Sequence, residues 1–382
     1  MISFQSKLPN VSQSIFSVMS QMATTENALN LAQGFPEFNP PSELIEAVHS
    51  AMLNNKNQYA PMPGYLSFRE QIAKKEFDLH AIQLNPESDI TVVPGATVGL
   101  FVAIQTFVHK GDEVIIIEPA YDSYEPAITL AGGKTIRVAM DLNTLQIPWD
   151  ELKAKVNHNT KMIIVNTPHN PLGTVFTQED WQNLSNIVQQ SNAIVISDEV
   201  YEHMVFDGNQ HISVLNIEGL KDRAIKVSSF GKTYHCTGWK MGYLSANAEI
   251  TAELRKVYQF LAFACNSTAQ MGIETFMKIE NNWEFELAKF YEQKRNLFRT
   301  HLQGSKWNIL PCSGSYFQVL NYDGHTTLND MDYAVQLTKF SKIASIPISA
   351  FCENREKTNL LRFCFAKNDD TIIQAANILC KL

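Results

Sequence analysis

The sequence predicts an α/β fold with a large, mostly parallel sheet and a second, smaller α+β unit. Three observations predict it. Short runs rich in Ile and Val recur through the middle of the chain, helix-like segments separate several of them, and the texture changes after about Gln270. Brevity and β-branched content suit buried strands, and strands that alternate with helices become parallel neighbours.

Taken in order, strands are expected at Asp89–Val93, Glu113–Ile117, Thr135–Val138, Met162–Val165, Ala193–Ser197, Ala224–Ser228 and Gly242–Ala246. Among the segments between them, Thr97–Val108 and Glu179–Gln190 read as helices. Beyond Gln270, Phe276, Ile279, Trp283, Leu287, Phe290, Tyr291 and Leu297 recur largely at three- and four-residue steps, which predicts a long helix over Glu274–Gln303. Short strands around Tyr316–Leu320 and Leu360–Ala366, with helices in Met331–Lys342 and Asp370–Lys381, complete the smaller unit. Neither an internal repeat nor a Gly/Ser- or Pro-rich linker separates the parts.

Composition removes several function classes. A chain of 382 residues, 45% hydrophobic and 18% charged, has core material for two or three domains and too little charge for disorder. Lys+Arg 31 minus Asp+Glu 39 gives −8, so no global charge draws the protein to nucleic acid or anionic lipid. No apolar run approaches the roughly 18 residues of a membrane helix, and Met1–Ala32 carries no signal-peptide core. The six cysteines form no C-x-x-C pair, which argues against a disulfide framework or structural zinc. A cytoplasmic protein without metal is the expectation. Phosphate-loop, dinucleotide, hydrolase-elbow and zincin motifs are all missing from the sequence.

Chemistry concentrates in four segments. Val227-Ser-Ser-Phe-Gly-Lys-Thr-Tyr-His-Cys-Thr-Gly-Trp-Lys240 sets Lys232 just after a buried strand, and a desolvated lysine amine forms Schiff bases with carbonyl cofactors. Asn166-Thr-Pro-His-Asn170 and Ser197-Asp-Glu-Val-Tyr-Glu202 each follow a strand, at the carboxyl ends where open α/β sheets bind ligands. Asp198 suits the acid that holds a pyridine nitrogen protonated, and Tyr201 suits a hydrogen bond to the same ring. Pro94-Gly-Ala-Thr97 opens a helix, whose free N–H groups form an anion site beside Ser229 and Lys240. Singly, these residues read as a solvated loop lysine, a helix-capping Asp, a buried Tyr and a weak G-A-T motif. Together they form one coherent site.

In this order the four segments resemble the class I aminotransferases among the fold-type I pyridoxal-phosphate enzymes, in particular the methionine and kynurenine/glutamine aminotransferase branch. Leu31-Ala-Gln-Gly-Phe-Pro36, Asn57-Gln-Tyr-Ala-Pro61, Glu118-Pro-Ala-Tyr-Asp-Ser-Tyr124 and Leu361-Arg-Phe-Cys-Phe-Ala-Lys367 extend the resemblance over nearly the whole chain. It implies a large, mostly parallel seven-stranded domain over residues 40–275, and a smaller domain over 276–382 joined by 1–39. It also implies pyridoxal 5'-phosphate as cofactor, amino acids and 2-oxo acids as substrates, and a homodimer with shared active sites. By position, Lys232 becomes the Schiff-base lysine and proton carrier, Asp198 the partner of the ring nitrogen, and Tyr201 and Asn170 partners of the ring oxygen. Tyr121 stacks on the ring. Ala96, Thr97, Ser229 and Lys240 hold the phosphate, with Tyr59 from the neighbouring subunit. Arg362 clamps the substrate carboxylate, Gly34 lines that pocket, and Phe16 and Phe263 wall the side-chain site.

There is a departure from the kynurenine enzymes. Phe16 aligns where the mammalian proteins carry Trp, and Ala264 follows Phe263 where they carry His. This favours a simpler apolar pocket and a donor such as methionine, with aromatic amino acids or glutamine. The alternatives implied by the same scaffold are a kynurenine/glutamine aminotransferase with β-lyase side activity and a cofactor-binding regulator. A regulator needs a DNA-binding extension, and the motifs begin by about Leu31.

Overall fold

The computed structural model describes residues 5–279, 282–353 and 358–382. Seven strands form the main sheet: β1 (Ile90–Val93), β2 (Glu113–Glu118), β3 (Lys134–Ala139), β4 (Thr160–Asn166), β5 (Ile194–Asp198), β6 (Ala224–Ser229) and β7 (Gly242–Ser245). Their order across the sheet is β1-β7-β6-β5-β4-β2-β3. All run in one direction except β7, which is antiparallel to both neighbours. Each expected strand is present, with its ends shifted by a residue or two.

Alternation within the apolar runs explains why they are continuous. In β4, Met162 and Ile164 enter the core on one face, while Ile163 and Val165 enter the core on the other. Val114 and Ile116 of β2 alternate with Ile115 and Ile117 in the same way. A sheet buried on both faces cannot afford polar alternation. The helix Ala96–Phe107 lies on the first face through Leu100, Val102 and Ala103. The helix Gln178–Val188 lies on the second through Trp181, Leu184 and Val188, its start fixed by a capping box between Thr177 and Asp180.

A smaller antiparallel sheet orders Ile346–Pro347, Leu360–Cys364, Phe317–Asn321 and Asn308–Ile309 side by side. Its core draws Met19, Ala23 and Leu31 from the N-terminal segment together with Phe298, Leu320, Phe363 and Leu379. Among the described residues no helix is long and apolar enough to cross a membrane.

Two expectations need correction. The long helix over Glu274–Gln303 is two helices, Ser267–Ile279 and Trp283–His301. Their stripes face different partners: Phe276 packs with Leu44, Phe68 and Tyr234, whereas Leu287 and Tyr291 pack with Tyr316 and Phe317. Asn282, which precedes the second helix, is of a residue type poor in helix interiors and favoured at helix starts. The helix in Met331–Lys342 is α-helical only over Asp330–Gln336, followed by a π turn to Ser341 and a left-handed Lys342.

Candidate active site

Parallel pairing sets Asn166 of β4 beside Asp198 of β5, and Asp198 beside Val227 of β6. The reversed strand β7 pairs Gly242 with both Val93 and Ser229. That register gathers the chain leaving β1, the end of β6 and the approach to β7 at one point. The cavity at these strand ends holds about 360 Å3. Phe16, Gly34, Ala96, Thr97, Tyr121, Asn170, Asp198, Tyr201, Ser229, Lys232, Lys240 and Arg362 all line it.

Lys232 sits in the short helix Phe230–Thr233 that follows β6. Its amine donates to the Gly34 carbonyl at 2.9 Å and to the Tyr316 hydroxyl at 2.7 Å. Burial lowers the amine to about 8, and the nearby Arg362 and Lys240 charges push the same way. A larger neutral fraction near pH 7–8 makes it a competent nucleophile and base.

Asp198 ends β5 and is buried. Burial raises its carboxyl to about 6, against the pull of a 2.7 Å hydrogen bond donated by Tyr124. Tyr201 is buried against Tyr316, ring centroids 5.0 Å apart, and burial raises its phenol well above the usual range.

Arg362 lies in the strand Leu360–Cys364 with its guanidinium aimed into the same cavity. Nη1 donates to Asn170 Oδ1 and Nη2 to the Ala32 carbonyl, both at 2.7 Å, while buried Nε has no partner among the described residues. Aromatic rings surround it: Phe317 at 3.9 Å, Phe16 at 5.1 Å and Phe351 at 5.3 Å. Burial lowers it to about 10. Among the described residues none of its hydrogen-bond acceptors is a carboxylate, so a buried positive charge lines the cavity without a described anion bonded to it.

The third corner is cationic as well. Gly95 caps the helix Ala96–Phe107 at φ 80°, a conformation that favours glycine. A Cβ there would lie 3.3 Å from Lys240 Nζ. A lysine ammonium thus sits at the positive end of a helix dipole, with Ser229 adjoining, an arrangement that an anion stabilises.

Two expected residues lie elsewhere. Tyr59 is 83% exposed and stands outside the cavity, edge-on to half-exposed Phe263 at 5.3 Å. Residues the sequence reading passed over include Tyr124, Tyr316, Phe317 and Phe351. Tyr124 did lie within a quoted motif, three residues past Tyr121, but nothing in the motif marks it as the partner of Asp198.

Behind β6 lies a buried ionic block. Lys226 Nζ bridges Glu76 at 2.7 Å and Glu202 at 2.6 Å, and Lys75 reaches Glu202 at 3.0 Å. Burial alone would raise the Glu202 carboxyl, but Lys226 and Lys75 hold it well below its ordinary range. Glu76, His80 and Glu202 are spaced closely enough to hold a metal ion. The Lys226 ammonium already supplies the cation between the two carboxylates.

This fold, with a lysine, an acid and an unpaired arginine facing one cavity, is that of an aminotransferase. The chain belongs to the family described as aminotransferase class I and II, whose model matches residues 26–379. It is 44% identical to the methionine aminotransferase of Escherichia coli (strain K12), over 99% of this chain and 98% of that protein. It is also 32% identical to kynurenine–oxoglutarate transaminase 3 of Rattus norvegicus, over 97% of this chain and 88% of that protein. Among solved structures it is similar to Escherichia coli YbdL, reported with a methionine aminotransferase function, at a TM-score of 0.97 and 43% identity over 100% of both chains.

Proposed function

We propose that this aminotransferase uses pyridoxal 5'-phosphate to move an amino group from methionine to a 2-oxo acid by a ping-pong mechanism. Aromatic amino acids or glutamine are further donors. The observation that carries the reading is that Lys232, Asp198 and Arg362, whose acceptors among the described residues include no carboxylate, line one cavity.

The residues fit the cofactor at three separate points. Asp198 is an acid whose ionisation is held back by burial, and a protonated ring nitrogen would favour its charged form. Lys240 and the helix start at Ala96 call for an anion, and a phosphate supplies it. Lys232, with its amine lowered to about 8, lines the same cavity. When bound, pyridoxal phosphate supplies a carbonyl that condenses with amines and a ring that accepts electrons.

The chain's own residues do the rest. Ala96, Thr97, Ser229 and Lys240 anchor the phosphate, and Tyr121 covers the ring. Asp198 keeps the ring nitrogen protonated, while Tyr201 and Asn170 meet the ring oxygen. Arg362 takes the substrate carboxylate through its planar fork. This would fix Cα near Lys232, whose free amine would hold and move the Cα proton. Phe16, Phe263 and Tyr59 wall the side-chain site with apolar surface.

Tyr59 and Phe263 serve a neighbouring copy in this reading, which makes the enzyme a homodimer. Phe260, 88% exposed, and Leu261 extend the apolar surface available to such a contact. Residues 1–39 belong with the smaller domain, because Met19, Ala23 and Leu31 share its core. A cytoplasmic location suits the six free cysteines.

The test is a panel of amino donors mixed with the pyridoxal-phosphate-loaded protein and scored by loss of the cofactor's visible absorbance. Methionine should bleach it fastest. A panel in which no amino acid bleaches the band overturns the proposal.

A further inference from the structure

Lys232 has two working states if it carries the cofactor as proposed above: joined to it, and released as a free amine. A released amine needs a definite place to wait, because an unplaced lysine loses its aim at the reacting carbon. The structure shows one such place. The Lys232 amine donates to the Gly34 carbonyl at 2.9 Å and to Tyr316 Oη at 2.7 Å. The Tyr316 hydroxyl in turn donates its own proton to the Gly34 carbonyl.

This last bond decides the chemistry. A phenol has one proton and two lone pairs. With its proton committed to Gly34, Tyr316 meets the lysine only as an acceptor. Gly34 is an acceptor as well. A neutral amine therefore spends both its N–H groups on this pair and keeps its lone pair free, which is the state that takes a proton from carbon. Had Tyr316 donated to the amine, the lone pair would be blocked.

The dock is rigidly built. Tyr316 is fully buried, its ring held edge-on by Tyr201 at 5.0 Å and by Phe317 at 4.8 Å. Gly34 cannot carry a side chain without collision, since a Cβ would lie 2.9 Å from Phe317 Cζ. Both phenol rings also face the lysine charge, with Nζ 5.3 Å from the Tyr316 centroid and 5.5 Å from that of Tyr201. Burial keeps the Tyr316 phenol protonated far above neutral pH. It cannot act as a competing base.

We propose that Tyr316, with the Gly34 carbonyl, is the docking site of the released Lys232 amine and the positioning residue that keeps its lone pair available for the Cα proton. The inference rests on Lys232 being the cofactor's lysine. Tyr316 touches neither the substrate nor the cofactor in this account; it acts through Lys232, and its hydroxyl also hydrogen-bonds with that of Tyr201.

The experiment uses Tyr316→Phe in the loaded enzyme. Borohydride reduction followed by peptide mapping comes first, and the cofactor should still be fixed to Lys232. A label on another lysine removes the reading beneath the inference, and the inference with it. With Lys232 confirmed, the enzyme is converted to the amino form of its cofactor, which leaves the lysine free. Competitive labelling with acetic anhydride across pH then reads the acidity of Lys232. Losing an acceptor that favours the ammonium should lower its pKa by about one unit, the shift expected from one hydrogen bond to a charged group. Single-turnover proton removal should slow roughly tenfold to a hundredfold, with a larger isotope effect from Cα-deuterated methionine and less than about a twofold change in methionine affinity. An unchanged labelling profile together with an unchanged isotope effect overturns the dock. Should the Phe variant not fold, 3-fluorotyrosine at position 316 keeps the ring and weakens the acceptor. The labelling pKa should again fall, and no shift overturns the proposal.

Discussion

Replacing Tyr124 with Phe removes one oxygen atom and leaves the ring, yet it should reach the electronic centre of the site. The Tyr124 hydroxyl donates to Asp198 at 2.7 Å in a fully buried setting. Burial has already raised the Asp198 carboxyl from 3.8 to about 6, a rise of 6 − 3.8, or about two units. At about 1.4 kcal/mol per unit, ionising it in the cofactor-free protein costs roughly 3 kcal/mol. Because the folded pKa lies above the unfolded one, this cost is absent below about pH 4, grows through pH 6 and is complete above it. A hydrogen bond to a charged group contributes about 1.5–3 kcal/mol, so its loss should raise Asp198 by a further one to two units, roughly. The assay is stability against pH for cofactor-free protein, with the Asp198→Asn profile subtracted to isolate this group. In Tyr124→Phe the loss window should extend upward to about pH 7–8. In the loaded enzyme, kcat near pH 7 should fall about tenfold to a hundredfold with a smaller change in substrate affinity, as a weakened ring partner implies. Superimposable stability profiles with an unchanged kcat would refute the reasoning.

Other predictions concern the substrate clamp, the buried block and the side-chain site. Arg362→Met removes the proposed carboxylate clamp, and two charge-assisted hydrogen bonds are worth about 3–6 kcal/mol, so kcat/KM for methionine should fall by at least about a hundredfold in steady-state assays. A loss below tenfold would show that another group holds the carboxylate. Lys226→Met leaves Glu76, Glu199 and Glu202 without their shared cation, and urea unfolding should show a loss of about 3–5 kcal/mol, with native-like stability contradicting the account. Methionine should exceed aspartate in kcat/KM by roughly a hundredfold, because a second carboxylate among Phe16, Phe263 and Tyr59 lacks a cation of its own. Equal values for the two donors would place an unrecognised basic residue in the pocket.

What was legible in the sequence follows from how far apart the cooperating residues lie. Lys232, Asp198, Asn170 and Thr97 each sit in a short motif directly after a strand, so local pattern and strand position were enough to find them. Parallel pairing then carried them to one edge. The contacts that tune them are of another kind. Tyr124 meets Asp198 across 74 residues, Lys232 meets Tyr316 across 84, and Lys226 meets Glu76 across 150. No local periodicity records which tyrosine faces which acid. The division of Glu274–Gln303 into two helices was hidden for a related reason. Its spacing fits one continuous stripe, and only the separate partners of Phe276 and Tyr291 reveal two. Tyr59 and Phe263 stayed outside the cavity of their own chain, and a single sequence does not distinguish a wall of one's own site from a wall lent to a neighbour.

The most direct test of the central claim is a single half-reaction. Pyridoxal-phosphate-loaded protein is mixed with L-methionine alone, with no oxo acid present, and the cofactor spectrum, the oxo acid and free ammonia are all measured. The account predicts one 2-oxo acid formed per subunit, conversion of the cofactor to its amino form, no ammonia, and full recovery of the original spectrum when a second oxo acid is added. Lys232→Ala should show none of this turnover. Release of ammonia with the cofactor spectrum unchanged would contradict transamination and show that the same lysine, acid and arginine serve an elimination instead.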